Sequence, residues 1–212
     1  MNHIAPRLTA TPKQALQRTI MTMLRRPETC LGASPWPDLL RSRAARWIEL
    51  SLPTLAQTFR PEHTMDNLRT IIAHLPRTVT FATLKVLCNG VNTSRRFQAD
   101  ILPCPFCNAP DGDSLEHPST CPSIWQFAEQ HLPIHSPADT SQAATTFFLL
   151  VPTTKTIALA VSILNDLLVS SYNARAHGAD CTNPLELLHG RLRHLSHRYV
   201  TIRDYLLGAF FD

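Results

Sequence analysis

Four side chains of metal-binding type lie close together in the middle of this chain. Cys104, Cys107, His117 and Cys121 follow the spacing C-x2-C-x9-H-x3-C within eighteen residues. A bound metal, a disulfide, a reactive thiol and chance could each account for such a cluster. A metal constrains the fold most, because one ion holds the two halves of the segment together.

Each half of the motif suits ligation of one ion. A C-x2-C pair forms a tight knuckle that directs two sulfurs at the same point, and H-x3-C places two ligands about one helical turn apart. Residues 111–113, Asp-Gly-Asp, form a turn that folds the halves together. Three cysteines and one histidine are a recurrent tetrahedral zinc set, so we predict Zn²⁺ with its four ligand atoms within roughly 4 Å of one another.

The alternatives to a metal are weaker. Prolines frame both halves of the motif, which argues against chance: Pro103, Pro105, Pro118 and Pro122. No secretory signal is visible, and in a reducing compartment clustered cysteines favour metal over disulfide. A C-x2-C pair alone could be a redox pair, but no βαβ pattern surrounds this one.

The predicted zinc is structural. Zinc deaminases carry P-C-x-x-C, which residues 103–107 match, but they also need an upstream H-x-E, and this chain has none. Four protein ligands also leave no open position for a reacting water.

Apolar residues at helical spacing flank the motif on both sides, so we predict an all-α fold, a helical bundle with one irregular zinc-binding loop. The predicted helices cover 12–25, a segment beginning at Pro37, 61–75, a segment from about Thr80, a short helix capped by Ser123, 155–176 with Gly178 as its stop, and 183–206. Residues 92–122 show no helical period, and residues 133–146 are interpreted as a link.

The final segment has the clearest start signal. Asn183 fits the N-cap, Pro184 the first helical position and Glu186 the third. Apolar residues then alternate three and four apart as far as Leu206. We expect this helix to pack on 155–176 rather than form a dimeric coiled coil, because that strongly apolar helix needs a partner.

These patterns divide the chain into four segments. Residues 1–34 are a basic helical extension, 35–92 a helical segment, 93–132 the zinc loop with a short helix, and 133–212 a helical hairpin. The oligomeric state does not follow from the sequence.

Charge is unevenly distributed along the chain. The formal net charge is +4, yet residues 1–60 hold nine Lys and Arg against three acids, and residues 97–154 hold six acids and no Lys or Arg. A basic flank beside an acidic centre permits a nucleic-acid partner without establishing one.

The sequence predicts a nuclear or cytoplasmic protein without a membrane span. The longest apolar run begins at Ile157 and is interrupted by Asn165 and Asp166, which makes it too short to cross a bilayer. Residues 1–27 hold five Lys and Arg and no acid, so an organelle transit peptide stays the alternative for that segment.

The region around the motif resembles the zinc-binding domain that follows the reverse transcriptase domain in retrotransposons without long terminal repeats. The matching stretches are FATLKVLCNGVNTSRRF, over 81–97, and CPFCNAPDGDSLEHPSTCPSIWQF, over 104–127. They include Asp113-Ser114, Glu116-His117, Cys121-Pro122 and Trp125, and together span roughly a quarter of the chain. Many members have four residues between the histidine and the last cysteine, whereas this chain has three.

The resemblance implies a function. It places the four zinc ligands at Cys104, Cys107, His117 and Cys121, and it suggests an accessory segment of a retroelement polyprotein that holds element RNA or target DNA beside the reverse transcriptase domain. We expect no enzymatic activity, because no aromatic-x-Asp-Asp motif supplies carboxylates for two-metal nucleotidyl transfer. A zinc-stapled protein-interaction domain and a remnant without function are the alternatives.

The predicted nucleic-acid contacts flank the zinc loop. Three thiolates on Zn²⁺ carry a net negative charge, and the loop adds three acids, so phosphates are expected to contact residues outside it. Arg95 and Arg96 precede the first knuckle, and Thr93 and Ser94 add hydroxyl donors. The alternative is that both arginines are solvated or pair with the acids of the loop.

Overall fold

The computed structural model describes residues 59–97, 102–178 and 183–208, together with five residues of an earlier segment, Ser42, Ala45, Arg46, Ile48 and Glu49. The predicted helix over 12–25, the extension 1–34 and the alternative transit segment lie outside the described residues. The five earlier residues are helical and fall within the helix predicted from Pro37, and Ile48 is buried in the core.

The described ranges contain seven α-helices and no strand, which confirms the predicted all-α class. In chain order the helices are α1 (Pro61–His74), α2 (Arg77–Leu87), α3 (Pro122–His131), α4 (Thr140–Phe147), α5 (Lys155–Ala176), α6 (Pro184–Arg198) and α7 (Val200–Gly208). Two 3₁₀ turns, Arg95–Phe97 and His117–Ser119, lie between α2 and α3.

Helix α5 is the centre of the bundle and packs against α1, α2 and α6. Its N-cap is Thr154, whose Oγ1 accepts a hydrogen bond from the Ile157 N–H at 3.2 Å. It ends at Ala176, as predicted, and Gly178 just beyond it adopts a φ of 77° that a side chain would disfavour. The expected packing of α6 on α5 is confirmed.

Helix α5 is also the helix in the described part of the chain that is long and apolar enough to cross a membrane. In this structure 78% of its most apolar window is buried inside the protein. That burial is typical of the core helix of a bundle.

The segment 133–146, predicted as a link, contains α4. The Asp139 side chain accepts from the Gln142 N–H at 2.7 Å, and the Gln142 side chain accepts from the Ala138 N–H at 3.3 Å. This exchange resembles a capping box, D-x-x-Q, and the sequence carried that signal. The helix buries Ala143, Ala144 and Phe147, so tertiary packing supports it.

The long final helix is interrupted. Tyr199 ends α6 in an extended conformation, and α7 begins at the next residue. The change in direction keeps Ile202 buried and lets the Tyr205 hydroxyl donate to the Thr156 carbonyl at 2.6 Å, at the start of α5. The starts of two other helices also differ from the prediction. Helix α2 begins at Arg77 rather than near Thr80, and the N-cap of α3 is Cys121 rather than Ser123.

One apolar core includes residues from Ile48 to Ile202. The described parts of the predicted segments 35–92, 93–132 and 133–212 therefore all contribute side chains to this one core. The segment boundaries at 34, 92 and 132 stay predictions.

Candidate metal centre

The four predicted ligands converge. One ligand atom from each of Cys104, Cys107, His117 and Cys121 lies within 4.8 Å of the other three. The Cys104 and Cys121 sulfurs are 3.9 Å apart, and the Cys107 sulfur is 3.1 Å from His117 Nε2. Ligand atoms around a tetrahedral zinc are about 3.5 to 3.8 Å apart, from Zn–S near 2.3 Å and Zn–N near 2.0 Å. The group can therefore hold a metal ion, whose identity stays a prediction.

The first knuckle is built by its backbone. The Cys104 carbonyl accepts from the Asn108 N–H at 2.9 Å, and the Cys104 N–H donates to the Ala109 carbonyl at 2.9 Å. Asn108 and Asp111 reverse the chain direction with φ of 58° and 55°, a conformation that Asn and Asp tolerate better than most residues. The Phe106 N–H points at the Cys104 sulfur at 3.4 Å.

Gly112 closes the knuckle because no other residue fits there. A Cβ at this position would lie 2.6 Å from the Cys104 Cβ and 2.9 Å from the Ala109 carbonyl oxygen. The glycine is therefore required by close approach, since its own φ is not in the left-handed region.

The second half of the motif is a 3₁₀ turn fixed at both ends. Ser114 Oγ accepts from the His117 N–H at 3.2 Å and so begins the turn. The Trp125 indole N–H donates to the Ser119 carbonyl at 2.7 Å from α3, which is anchored in the core. Cys121 is completely buried at the junction between the turn and α3.

The contact between the two buried sulfurs shifts their pKa values in opposite directions. The hydrogen bond with the Cys121 thiol, helped by the Phe106 and Cys107 backbone, lowers the pKa of Cys104 to about 5 despite its burial. The same contact, together with burial, raises the pKa of Cys121 above its usual range. A divalent cation between the sulfurs would stabilise both as thiolates.

A buried ion pair attaches the loop to α5. Asp113 is fully buried, and Arg175 donates one Nη2 group to both of its carboxylate oxygens at 2.6 Å. The Ser94 N–H also donates to Asp113 Oδ2 at 3.0 Å. Asp113 is one of the three acids of the loop that were expected to repel phosphate, but in the structure it is buried and its charge is compensated by Arg175. The matched motif includes Asp113 and so indicated that this residue matters, whereas nothing in the sequence indicated Arg175 as its partner.

Aromatic contacts extend the same attachment. The Phe106 ring, between the two knuckle cysteines, packs edge-on against the Tyr172 ring with centroids 6.0 Å apart. The Arg175 guanidinium lies 5.0 Å from the centroid of the Tyr172 ring. Burial, followed by the nearby charge of Asp113, raises the pKa of Tyr172 beyond its usual range.

The residues predicted to contact nucleic acid have different surroundings. Arg95 is exposed, and Arg96 is half-buried with its Nη1 group donating to the Val91 carbonyl at 3.4 Å. Thr93 is buried, and its hydroxyl oxygen accepts from the Arg96 N–H at 3.3 Å. The Ser94 hydroxyl donates to the Asp113 carbonyl and accepts from the Leu102 N–H, at 3.3 and 3.2 Å. Both hydroxyls therefore serve the internal structure of the loop, and of the four residues Arg95 is the one best placed to meet a ligand.

The chain as a whole matches no protein-family model, and no curated protein or solved structure matches it either. The resemblance described above therefore depends on the motif residues alone.

Proposed function

We propose that the protein is a zinc-stapled helical module that binds RNA or DNA, an accessory to a retrotransposon reverse transcriptase without a polymerase site of its own. The observation that carries the proposal is the convergence of three sulfurs and one imidazole nitrogen within 4.8 Å, directly beside the exposed Arg95.

The donor set favours zinc. Three thiolates and one imidazole are soft to borderline ligands, which exclude Mg²⁺ and Ca²⁺. All four positions of a tetrahedral ion are filled by the protein, so the ion stabilises the loop and leaves no position for a reacting water.

The loop also positions the basic edge. The Arg95 N–H donates to the Asp113 carbonyl at 3.4 Å, and Asp113 lies between the two halves of the metal motif. Metal binding therefore fixes the backbone from which the Arg95 side chain projects. The ion with three thiolates carries a net charge of about −1, and Asp111 adds another exposed negative charge. Phosphates are then held by the arginine edge and not by the loop itself.

The test measures zinc content and binding of a single-stranded RNA at two salt concentrations. Wild-type protein should hold one zinc per chain and bind less tightly as salt rises. Replacing both Arg95 and Arg96 with Ala should weaken binding and flatten the slope of log affinity against log salt by roughly 0.7 per lost phosphate contact. The control, Arg69→Ala with Arg203→Ala, removes the same charge from exposed pairs on α1 and α7.

Equal binding by the edge variant and the control would show that the edge is not the contact surface. Absence of salt-dependent binding by the wild type would overturn the nucleic-acid proposal altogether.

A second candidate, docking on a protein partner, is favoured by α7. Val200 and Leu207 lie seven positions apart, hence on one helix face, and are 56% and 54% exposed. A protein partner that covers this helix face would bury both side chains. This candidate predicts zinc binding without any response to RNA or DNA.

A further inference from the structure

Two clefts beside α2 share a lining residue, and we call them together the α2–α6 groove. The first has a volume of about 220 Å³ and is floored by α5, and the second, of about 480 Å³, opens where α6 bends into α7. Thr78 lines both. The first is lined by Thr78, Phe81, Ala82, Lys85, Asp166, Val169, Ser170, Asn173 and Arg191, and the second by residues 73–78, Tyr199 and Thr201.

A cation lies beside an aromatic ring of the lining in each of the two clefts. The Lys85 ammonium lies 5.2 Å from the centroid of the Phe81 ring, on adjacent turns of α2. At the far end the Arg198 guanidinium lies 5.7 Å from the centroid of Tyr199, whose hydroxyl is 3.4 Å from that of Thr78. Phe81, Lys85 and Tyr199 are all only partly buried, so a ligand can reach them.

The lining carries a positive charge. Asp166 is the one carboxylate among the residues that line the two clefts, and Arg191 neutralises it with two hydrogen bonds, from Nε at 2.7 Å and Nη2 at 3.1 Å. Lys85 therefore gives the first cleft a net formal positive charge.

The groove runs toward the metal centre. Asn173, in the lining at its narrower end, accepts a hydrogen bond from the Asn92 amide at 2.9 Å. Asn92 lies three residues before Arg95, so the groove and the arginine edge are joined through the same short segment.

A third cleft of similar size has a lining of the opposite charge. It lies between α3 and α4, has a volume of about 440 Å³, and is lined by Glu129 and Asp139 with no Lys or Arg. A phosphate would be repelled there. Size alone therefore does not single out the α2–α6 groove; the combination of cations and rings does.

We propose that the α2–α6 groove binds a single strand of nucleic acid, with phosphates near Lys85 and bases stacked on Phe81 and Tyr199. The inference rests on the proposed function and assigns it a second contact surface. A positively charged groove interleaved with aromatic side chains is the arrangement by which proteins hold single strands without reading sequence. A strand lying in this groove reaches the arginine edge through the Asn92–Asn173 end.

The experiment compares two groove variants with two matched controls, using a fluorescent twelve-nucleotide oligouridylate. Lys85→Gln should lower the salt slope by roughly 0.7, as loss of one phosphate contact does, whereas Lys155→Gln, at the exposed start of α5, should not. Phe81→Leu should weaken binding by roughly fivefold or more at an unchanged slope, as loss of one stacked base does. Phe59→Leu is the control, because Phe59 is also half-buried but lies outside the groove.

The outcomes separate the two proposals. If wild type binds and the groove variants match their controls, the groove is overturned while the proposed function stands. If wild type does not bind the oligonucleotide at either salt concentration, both fail. Tighter binding to an RNA duplex than to the single strand, or competition by a protein partner but not by RNA, would also overturn the groove. Thermal unfolding of each variant identifies any loss of binding that comes from misfolding.

Discussion

The metal loop, residues 102–121, and the bundle built around α5 are stabilised by different forces. In α5 fourteen side chains between Ala158 and Tyr172 are buried, most of them apolar. In the loop, Phe106, Leu115 and Pro118 are the buried apolar side chains apart from the two cysteines, whereas Asp113, Ser114 and Ser119 are buried and polar. A fully buried Leu or Phe contributes about 1.5 to 3 kcal/mol, so the loop cannot fold on hydrophobic burial alone. We therefore expect its order to come from its hydrogen bonds and from the proposed metal ion.

A buried ion pair and a ring contact are among the contacts that join the two regions. The Asp113–Arg175 ion pair and the Phe106–Tyr172 ring contact join the loop to the last turns of α5. If these contacts couple the regions weakly, each region should unfold without the other. If they couple them strongly, a change that destabilises one region should also destabilise the other.

Removal of the metal should have the largest effect. Structural zinc contributes on the order of 10 kcal/mol in small peptides, and the loop has little else. We expect a chelator to abolish hydrogen-exchange protection in residues 102–121 while α1, α2 and α5 keep theirs. The boundary should fall at α3, because Ile124 and Trp125 are anchored in the core.

Cysteine variants provide the control for chelation. Cys121→Ala should reproduce the exchange pattern of the chelated protein, whereas Cys88→Ala, at the end of α2 and outside the ligand group, should not. Global unfolding on chelation would show that the bundle depends on the loop.

A cavity in the bundle should have the opposite effect to chelation: it should destabilise the helices and leave the ligand group able to bind zinc. Leu164 is fully buried in α5, and its replacement by Ala should lower the free energy of unfolding by about 2 to 5 kcal/mol. Chemical denaturation with zinc present should show this loss, while the zinc content of the folded protein stays at the wild-type value. A fall in zinc content would mean that packing around α5 shapes the ligand geometry.

The ion pair between the regions should have an intermediate effect that depends on which partner is removed. Arg175→Met leaves Asp113 charged and buried without its ion-pair partner, and should cost about 3 kcal/mol. Asp113→Asn leaves Arg175 beside solvent, with its side chain 26% exposed, so it should cost less. Competition with a chromophoric chelator should show weaker zinc binding in both variants, and more so in Arg175→Met. Equal losses of zinc affinity in the two variants would contradict the argument from the different burial of Asp113 and Arg175.

The sequence predicted these two regions unequally. Helical periodicity was sufficient for α1, α5 and α6, because apolar stripes report burial directly. It did not predict the bend at Tyr199, since the apolar spacing continues through it and the change in direction depends on the contact of Tyr205 with Thr156. The helix α4 was missed although Asp139 and Gln142 carry a capping signal.

For the metal site, local spacing predicted the ligands, because all four lie within eighteen residues. The partner of Asp113 could not be predicted in the same way. Arg175 is sixty-two residues away, and no periodicity connects a buried carboxylate with one arginine among many. The sequence also did not show that the Thr93 and Ser94 hydroxyls form hydrogen bonds within the loop, because their partners are known only from the folded structure.

The smallest expected effect concerns a histidine contact on the bundle side of α3. The rings of His131 and His189 have centroids 4.6 Å apart and join the end of α3 to α6, with Phe127 against both. Burial, followed by the charge of His189, lowers the pKa of His131 below its usual 6.5. The unfolded chain therefore binds a proton that the folded protein resists, and stability should fall as pH drops from about 6.5 toward the folded pKa.

Protonation of the proposed metal ligands should also destabilise the protein at low pH, so the measurement is a difference between proteins. Unfolding free energies of wild type and His131→Gln should differ by a constant amount above about pH 6.5, near the pKa of an unperturbed histidine, and this difference should change progressively below it, as the wild type loses stability faster. His189→Gln removes the charged neighbour and should give an intermediate slope, because burial of His131 remains. Parallel pH profiles for all three proteins would place the acid sensitivity in the metal loop alone, and the histidine contact would then add no pH dependence to the bundle.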